Sequence, residues 1–151
     1  MIHILVDEEY WPIVKTAELR KAAKTAGSVA GLPADSEYTI VITGDEQTRA
    51  LNREYRKIDD TTDVLSFPSV EKDPDTGKSY LGDIIISHPR ASQQAAAAGH
   101  SCLVELCLLI IHGTLHLAGQ DHAEEDGKKA MFSLQRKALE MMNISIKGFS
   151  S

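Results

Sequence analysis

Apolar residues recur along this chain with two periods, and the switches between them predict four strands and five helices. Short runs rich in β-branched residues mark the strands: Ile2–Asp7, Tyr38–Thr43, Asp63–Phe67 (stopped by Pro68) and Tyr80–Ser87. The helical spacing of Trp11, Val14, Leu19, Ala22, Ala26 and Val29 predicts a helix over Trp11–Ala30. Pro12 suits its first turn, and Gly31-Leu32-Pro33 breaks it. A second helix runs from Asp45, read as its N-cap, to about Arg56. The alanine-rich stretch Pro89–Ala98 ends at Gly99, and Ser101 caps a helix over Cys102–Ala118. A last helix, about Glu124–Met142, carries Met131, Leu134, Ala138 and Leu139 as its stripe.

The helix Cys102–Ala118 is apolar on nearly every side, so it belongs inside the molecule rather than on its surface. Strands and helices mix without a regular βαβ repeat. The expected fold is therefore α+β: a four-stranded mixed sheet packed against about five helices, with this buried helix at the centre. No linker or repeat divides the chain, and residues 1–151 are read as one domain.

Composition narrows the function classes. Hydrophobic residues at 42% and charged residues at 25% are ordinary for a globular domain with its own core. The start, Met1–Asp7, lacks a basic region and is not read as a signal peptide. The longest apolar run, Leu106–Ile111, is too short to span a bilayer, so no membrane partner is expected. Cys102 and Cys107 are five apart on one helix and point about 140° from each other. They do not bridge readily, and free thiols fit a cytoplasmic location. The net charge of −6 excludes a generally basic nucleic-acid coat, so any nucleic-acid contact must use a local basic patch.

The chemistry concentrates in His112-Gly113-Thr114-Leu115-His116-Leu117-Ala118-Gly119-Gln120-Asp121-His122. His112 and His116 stand one turn apart on one helix face, where two imidazoles can share an ion. Gly119 suits the left-handed cap that ends a helix, after which the chain can return His122 as a third ligand. Three protein ligands leave a position for water or substrate, as in catalytic zinc sites. Imidazole also suits nickel, copper and iron. The spacing is that of the metzincin template, except that Gly113 stands where those peptidases carry a glutamate base. Asp121 and Asp83 are candidates for orienting a metal-bound imidazole, and an ordinary turn role is open for each. Glu105, two turns before His112, is too far along the axis to ligate the same ion and is expected either to support a metal-bound imidazole or to make a core hydrogen bond; His3, His88 and His100 fall outside the ligand spacing.

A second informative stretch, Leu51–Pro68, runs from a helix end through a polar turn into a strand. Its Arg53, Arg56 and Lys57 form a basic cluster suited to phosphate, or to complementing the helix dipole. With this stretch, Leu81–Ser87, Gly99-His100-Ser101 and His112–His122, the chain resembles the YbeY family of bacterial rRNA maturation endoribonucleases. The resemblance covers nearly everything from the second strand onward, and Gly113 is what that family has at this position. It implies one zinc ion on His112, His116 and His122, with Arg56 as a functional arginine. It also implies single-stranded RNA as substrate, in 16S rRNA 3′-end maturation and ribosome quality control, with the small ribosomal subunit or its proteins as partners.

On this reading Arg56 and His116 are catalytic, and Arg56, Arg53 and Lys57 contact RNA. Two alternatives stand beside it. One is a non-catalytic ribosome-assembly factor stabilised by zinc. The other is a metalloprotease-like hydrolase, which would need Asp83 or Asp121 to replace the absent glutamate.

Overall fold

The computed structural model describes residues 1–69, 71–72, 74–75, 77–120 and 125–146. In chain order the elements are β1 (Ile2–Val6), α1 (Thr16–Val29), β2 (Glu37–Thr43), α2 (Asp45–Arg56), β3 (Val64–Pro68), β4 (Tyr80–Ser87), α3 (His88–Ala98), α4 (Cys102–Leu117) and α5 (Glu125–Met141). The four strands form one sheet in the order β1-β2-β4-β3. β1, β2 and β4 run parallel, and β3 closes one edge antiparallel to β4. The architecture is the expected α+β fold with a mixed sheet. β1–α1–β2 is a βαβ crossover, and β2 reaches its parallel neighbour β4 by way of α2 and the edge strand β3.

Alternation along the strands decides what each face meets. Tyr38, Ile40 and Ile42 of β2, with Ile84 and Ile86 of β4, are buried and face α1 and α4. The Tyr38 hydroxyl lies 3.3 Å from the Ala23 carbonyl of α1 and 3.2 Å from Thr114 Oγ1 of α4, which ties the sheet to both helices. Burial pushes its pKa up to about 12, so the phenol keeps its proton. The opposite face carries Thr39, Val41 and Asp83.

α4 is the central helix, packed against α1, α3, α5, β3 and β4. Ser101 caps it as expected, its Oγ accepting from the Val104 N–H at 3.1 Å. Gly119, at φ 94°, takes the left-handed conformation just beyond its end. Ten of its sixteen residues are buried. The flank Val104, Leu108, His112 and His116, spaced by four, is only partly covered. Both histidines therefore belong to a core helix yet reach its open side.

Two expectations need correction. The first helix begins at Thr16, not Trp11. The segment before it folds as a short 3-10 turn over Glu8–Tyr10, and the Trp11 indole N–H donates to the Val6 carbonyl. That local bond holds Trp11 back against the end of β1, and the ring stays 62% exposed instead of joining the helix stripe. Asp45 is not an N-cap either; Gly44 is, and Asp45 is the first helical residue. Its carboxylate accepts from Ser87 Oγ at 2.6 Å and Thr61 Oγ1 at 3.0 Å, fastening α2 to the end of β4 and to the turn before β3. A carboxylate in the first turn also complements the helix dipole.

Gly82 is obligatory where β3 and β4 meet. It has φ 136°, and a Cβ there would sit 2.1 Å from the Phe67 carbonyl oxygen. The pairing of β2 with β4 shifts register beside it, between Glu37 and Thr39. This irregularity lets Tyr80 and Asp83, three apart, meet on one face.

Candidate active site

The open flank of α4 and the edge strand β3 enclose a cleft of about 400 Å³. Arg56, Thr62, Asp63, Ser66, His112 and His116 line it, with Val64 and Leu65. Arg56 arrives from the last turn of α2. Lys57 then takes a left-handed conformation at φ 61° and turns the chain toward β3. Thr62, Asp63 and Ser66 come from that turn and from the strand itself.

His112 and His116 point their Nε2 atoms at each other across 3.1 Å, with ring centroids 4.7 Å apart and planes at 72°. Imidazole–zinc bonds run about 2.0–2.1 Å, so a 3.1 Å separation is one that a single ion can span. The donor pair therefore fits a metal that takes nitrogen ligands. Among the described residues no group of three histidine, cysteine or acidic side chains gathers to hold an ion. The third expected ligand, His122, and the expected orienting residue Asp121 lie outside the described residues.

Arg56 is exposed and makes no ion pair among the described residues. Its neighbours differ. Arg53 Nη1 stands 3.9 Å from Asp59, which also takes a two-pronged contact from Arg49 at 2.9 and 3.3 Å. Lys57 Nζ donates to the Glu54 carbonyl at 3.0 Å. Neither Arg53 nor Lys57 is among the residues lining the cleft. Of the basic cluster expected to contact RNA, Arg56 alone lines the histidine cleft; Arg53 stands beside Asp59, and Lys57 donates back to the Glu54 carbonyl.

Asp83 lies on the opposite face of the sheet from α4. Its Oδ1 accepts from the Tyr80 hydroxyl at 2.6 Å, and Tyr80 is itself pushed up to about 12 by burial and by this carboxylate. Strand alternation explains the placement: Ile84 faces α4, so Asp83 cannot. Glu105 is buried and bonded at 2.6 Å to His100 Nε2, a core pair away from the cleft-lining residues. His88 is buried too, stacked on Tyr10 at 4.6 Å, and burial lowers its pKa.

Thr62, Asp63 and Ser66 lie within the informative stretch Leu51–Pro68, but the sequence assigns them no individual role. The Asp63 carboxylate accepts from its neighbour's Val64 N–H at 2.8 Å, which holds it at the mouth of the strand. Their available signal was polarity at the start and middle of an otherwise apolar strand. The strand order that puts β3 at an edge supplied the rest.

Fold and cleft define a class: a mixed-sheet α+β protein whose core helix presents paired imidazoles to the same cleft as an arginine. The sequence model of the family described as Endoribonuclease YbeY matches residues 7–143. A protein named Endoribonuclease YbeY from Dehalococcoides mccartyi strain CBDB1 is 39% identical over 150 residues, covering 91% of this chain and 90% of its own. One of the same name from Heliobacterium modesticaldum is 42% identical over 143 residues, covering 87% and 83%. A solution structure of a Thermotoga maritima protein shares the fold, with a TM-score of 0.61 at 23% identity, over 95% of this chain and 92% of that one. The chain belongs to the YbeY endoribonuclease family.

Proposed function

We propose that this protein is a zinc-dependent endoribonuclease that cuts single-stranded RNA, in 16S rRNA 3′-end maturation and ribosome quality control. The observation that carries the reading is the meeting of Arg56 with His112 and His116 in one cleft, although they lie far apart in the chain. Family membership supports RNA as the substrate. The expected partners are the small ribosomal subunit or its proteins, and the expected setting is the cytoplasm.

His112, His116 and His122 hold the metal on this reading. Zinc, when bound, supplies Lewis acidity toward a phosphate oxygen and a nucleophile near neutral pH. Arg56 binds the scissile phosphate and stabilises the negative charge that develops on it, since a guanidinium stays protonated and grips two oxygens at once. Ser66 lines the same cleft and offers a hydroxyl to a phosphate oxygen, whereas the Thr62 hydroxyl donates to the Asp63 carboxylate at 3.3 Å. Asp121 is assigned to orienting a metal-held imidazole.

The peptidase alternative loses support on two counts. Asp83 is engaged by Tyr80 on the far face of the sheet, and Gly113 packs against the sheet with no room for a carboxylate. The test is RNA cleavage by nuclease-free protein, with metal content measured on the same sample beside a His116→Ala control. Cleavage and about one bound zinc per chain, both lost in the control, is the expected result. Bound zinc with no cleavage would leave the assembly-factor role instead.

A further inference from the structure

The aromatic pair beside the cleft has no part in the chemistry above. Tyr55 precedes Arg56 on the last turn of α2, and Phe67 follows Ser66 on β3; Arg56 and Ser66 both line the cleft. Strand alternation sends Phe67 to the opposite side of the edge strand from Ser66, and there its ring meets Tyr55 with centroids 5.2 Å apart and planes at 60°. A tilted aromatic pair of this kind packs a helix end on a strand, and that alone would account for a buried pair. This pair is not buried: Tyr55 is 61% exposed. Phe67 packs against its ring, and most of the residue remains open to solvent. Nearby, Ile58 is a further apolar residue at the surface, 45% exposed.

We propose that Tyr55, braced by Phe67, is a stacking platform for an unpaired nucleobase next to the phosphate held by Arg56. The proposal rests on the endoribonuclease reading and names a subsite of the same site. A strand of RNA crossing the free edge of β3 would put a phosphate in the histidine cleft and an adjacent base over the edge, on the exposed phenol ring. Stacking on an aromatic face tolerates any base but requires that the base be unpaired. The platform therefore gives a physical origin for single-strand preference in a protein whose net charge of −6 leaves little general attraction for RNA. Tyr55 acts here as a positioning residue: it touches a base, and Arg56 and the histidines act on the phosphate.

The test compares two short 2′-O-methyl oligonucleotides, one with all bases and one with abasic residues at successive positions, by fluorescence anisotropy. Wild-type protein should bind the base-bearing strand about tenfold more tightly than the strand abasic at the stacked position. Tyr55→Ala and Tyr55→Leu should bring that ratio close to one, while Tyr55→Trp should keep it. The leucine variant retains apolar packing on Phe67, so a folding defect in the alanine variant does not decide the outcome. Melting temperature should change little in either, because the ring is mostly exposed. If both variants keep the full ratio, the platform is wrong although RNA binding stands. If wild-type protein binds and cleaves no RNA at all, the endoribonuclease reading has failed, and the platform with it. A loss of binding to protein partners but not to RNA would assign the pair to a protein contact and overturn the proposal.

Discussion

A Cβ built on Gly113 would lie 2.9 Å from Cγ2 of Ile84 and 3.1 Å from its Cδ1. The residue between the two cleft histidines is thus where α4 touches the sheet, and the helix can lie this close only because no side chain stands there. A metzincin-type glutamate at this position would be driven into β4 and away from the cleft. The glycine that looked like a lost base in the sequence is a packing contact.

Gly113→Ala is accordingly expected to destabilise the protein. Alanine gains about 1 kcal/mol of helix propensity over glycine. Against that stands overpacking of about 1–3 kcal/mol, at the upper end here because Ile84 is fully buried and stiff at χ1. Urea unfolding should show a lower midpoint with unchanged slope. A higher midpoint would mean that Ile84 yields easily and that the close approach is not what positions α4.

Leu109, on the sealed side of α4, is 6% exposed. Leu109→Ala should cost about 2–5 kcal/mol through lost burial and a residual cavity. Leu108, one residue earlier on the partly open flank, should cost clearly less when changed to alanine. Equal losses at the two positions, by chemical denaturation, would contradict the orientation of the helix and hence of His112 and His116.

His88 gives stability a pH dependence of defined sign. Burial lowers its pKa in the folded state, with nearby Glu9 pulling weakly the other way, whereas the unfolded chain titrates at about 6.5. Between those two values the unfolded state binds more protons, so stability rises with pH. Conversely, stability falls as pH drops through about 6.5 and levels off below the folded pKa. His88→Phe keeps a ring against Tyr10 and removes the titration. Wild-type protein should lose more stability than this variant between about pH 7.5 and about pH 5.5. Parallel pH profiles would show that the His88 ring charges freely in the fold.

On the proposed function, Arg56→Glu should lower RNA cleavage on the order of 100-fold, the scale set by removing one charge-stabilising donor. Bound zinc and melting temperature should stay near wild type, because Arg56 is exposed and holds no ion pair among the described residues. Arg56→Lys should restore only part of the rate, since an ammonium cannot grip two phosphate oxygens in a fork. RNA binding should also weaken as salt rises. Full cleavage by the glutamate variant, at saturating RNA and with zinc measured on the same samples, would remove Arg56 from the mechanism.

Local regularities of the chain were enough to locate much of this protein. His112 and His116 share a face because helix geometry alone sets residues four apart in line. Ser101 begins a helix through its own hydroxyl, Gly99 and Gly119 follow helix ends because they lack a Cβ, and the all-round apolarity of α4 marked it as the core helix. Where a local signal had a competitor, the reading shifted: Trp11 bonded back to β1, and Asp45 served Ser87 and Thr61 instead of its own helix end. Other features depended on contacts between distant segments. Which flank of α4 stays open follows from what packs on the other flanks, and Val104 and Leu108 on that flank are as apolar as the buried positions. That β3 lies at an edge, that Arg56 rather than Arg53 reaches the histidines, and that Asp83 faces away from them follow from strand order and register. Those are set by hydrogen bonds between residues far apart in the chain, which periodicity within a single segment does not encode.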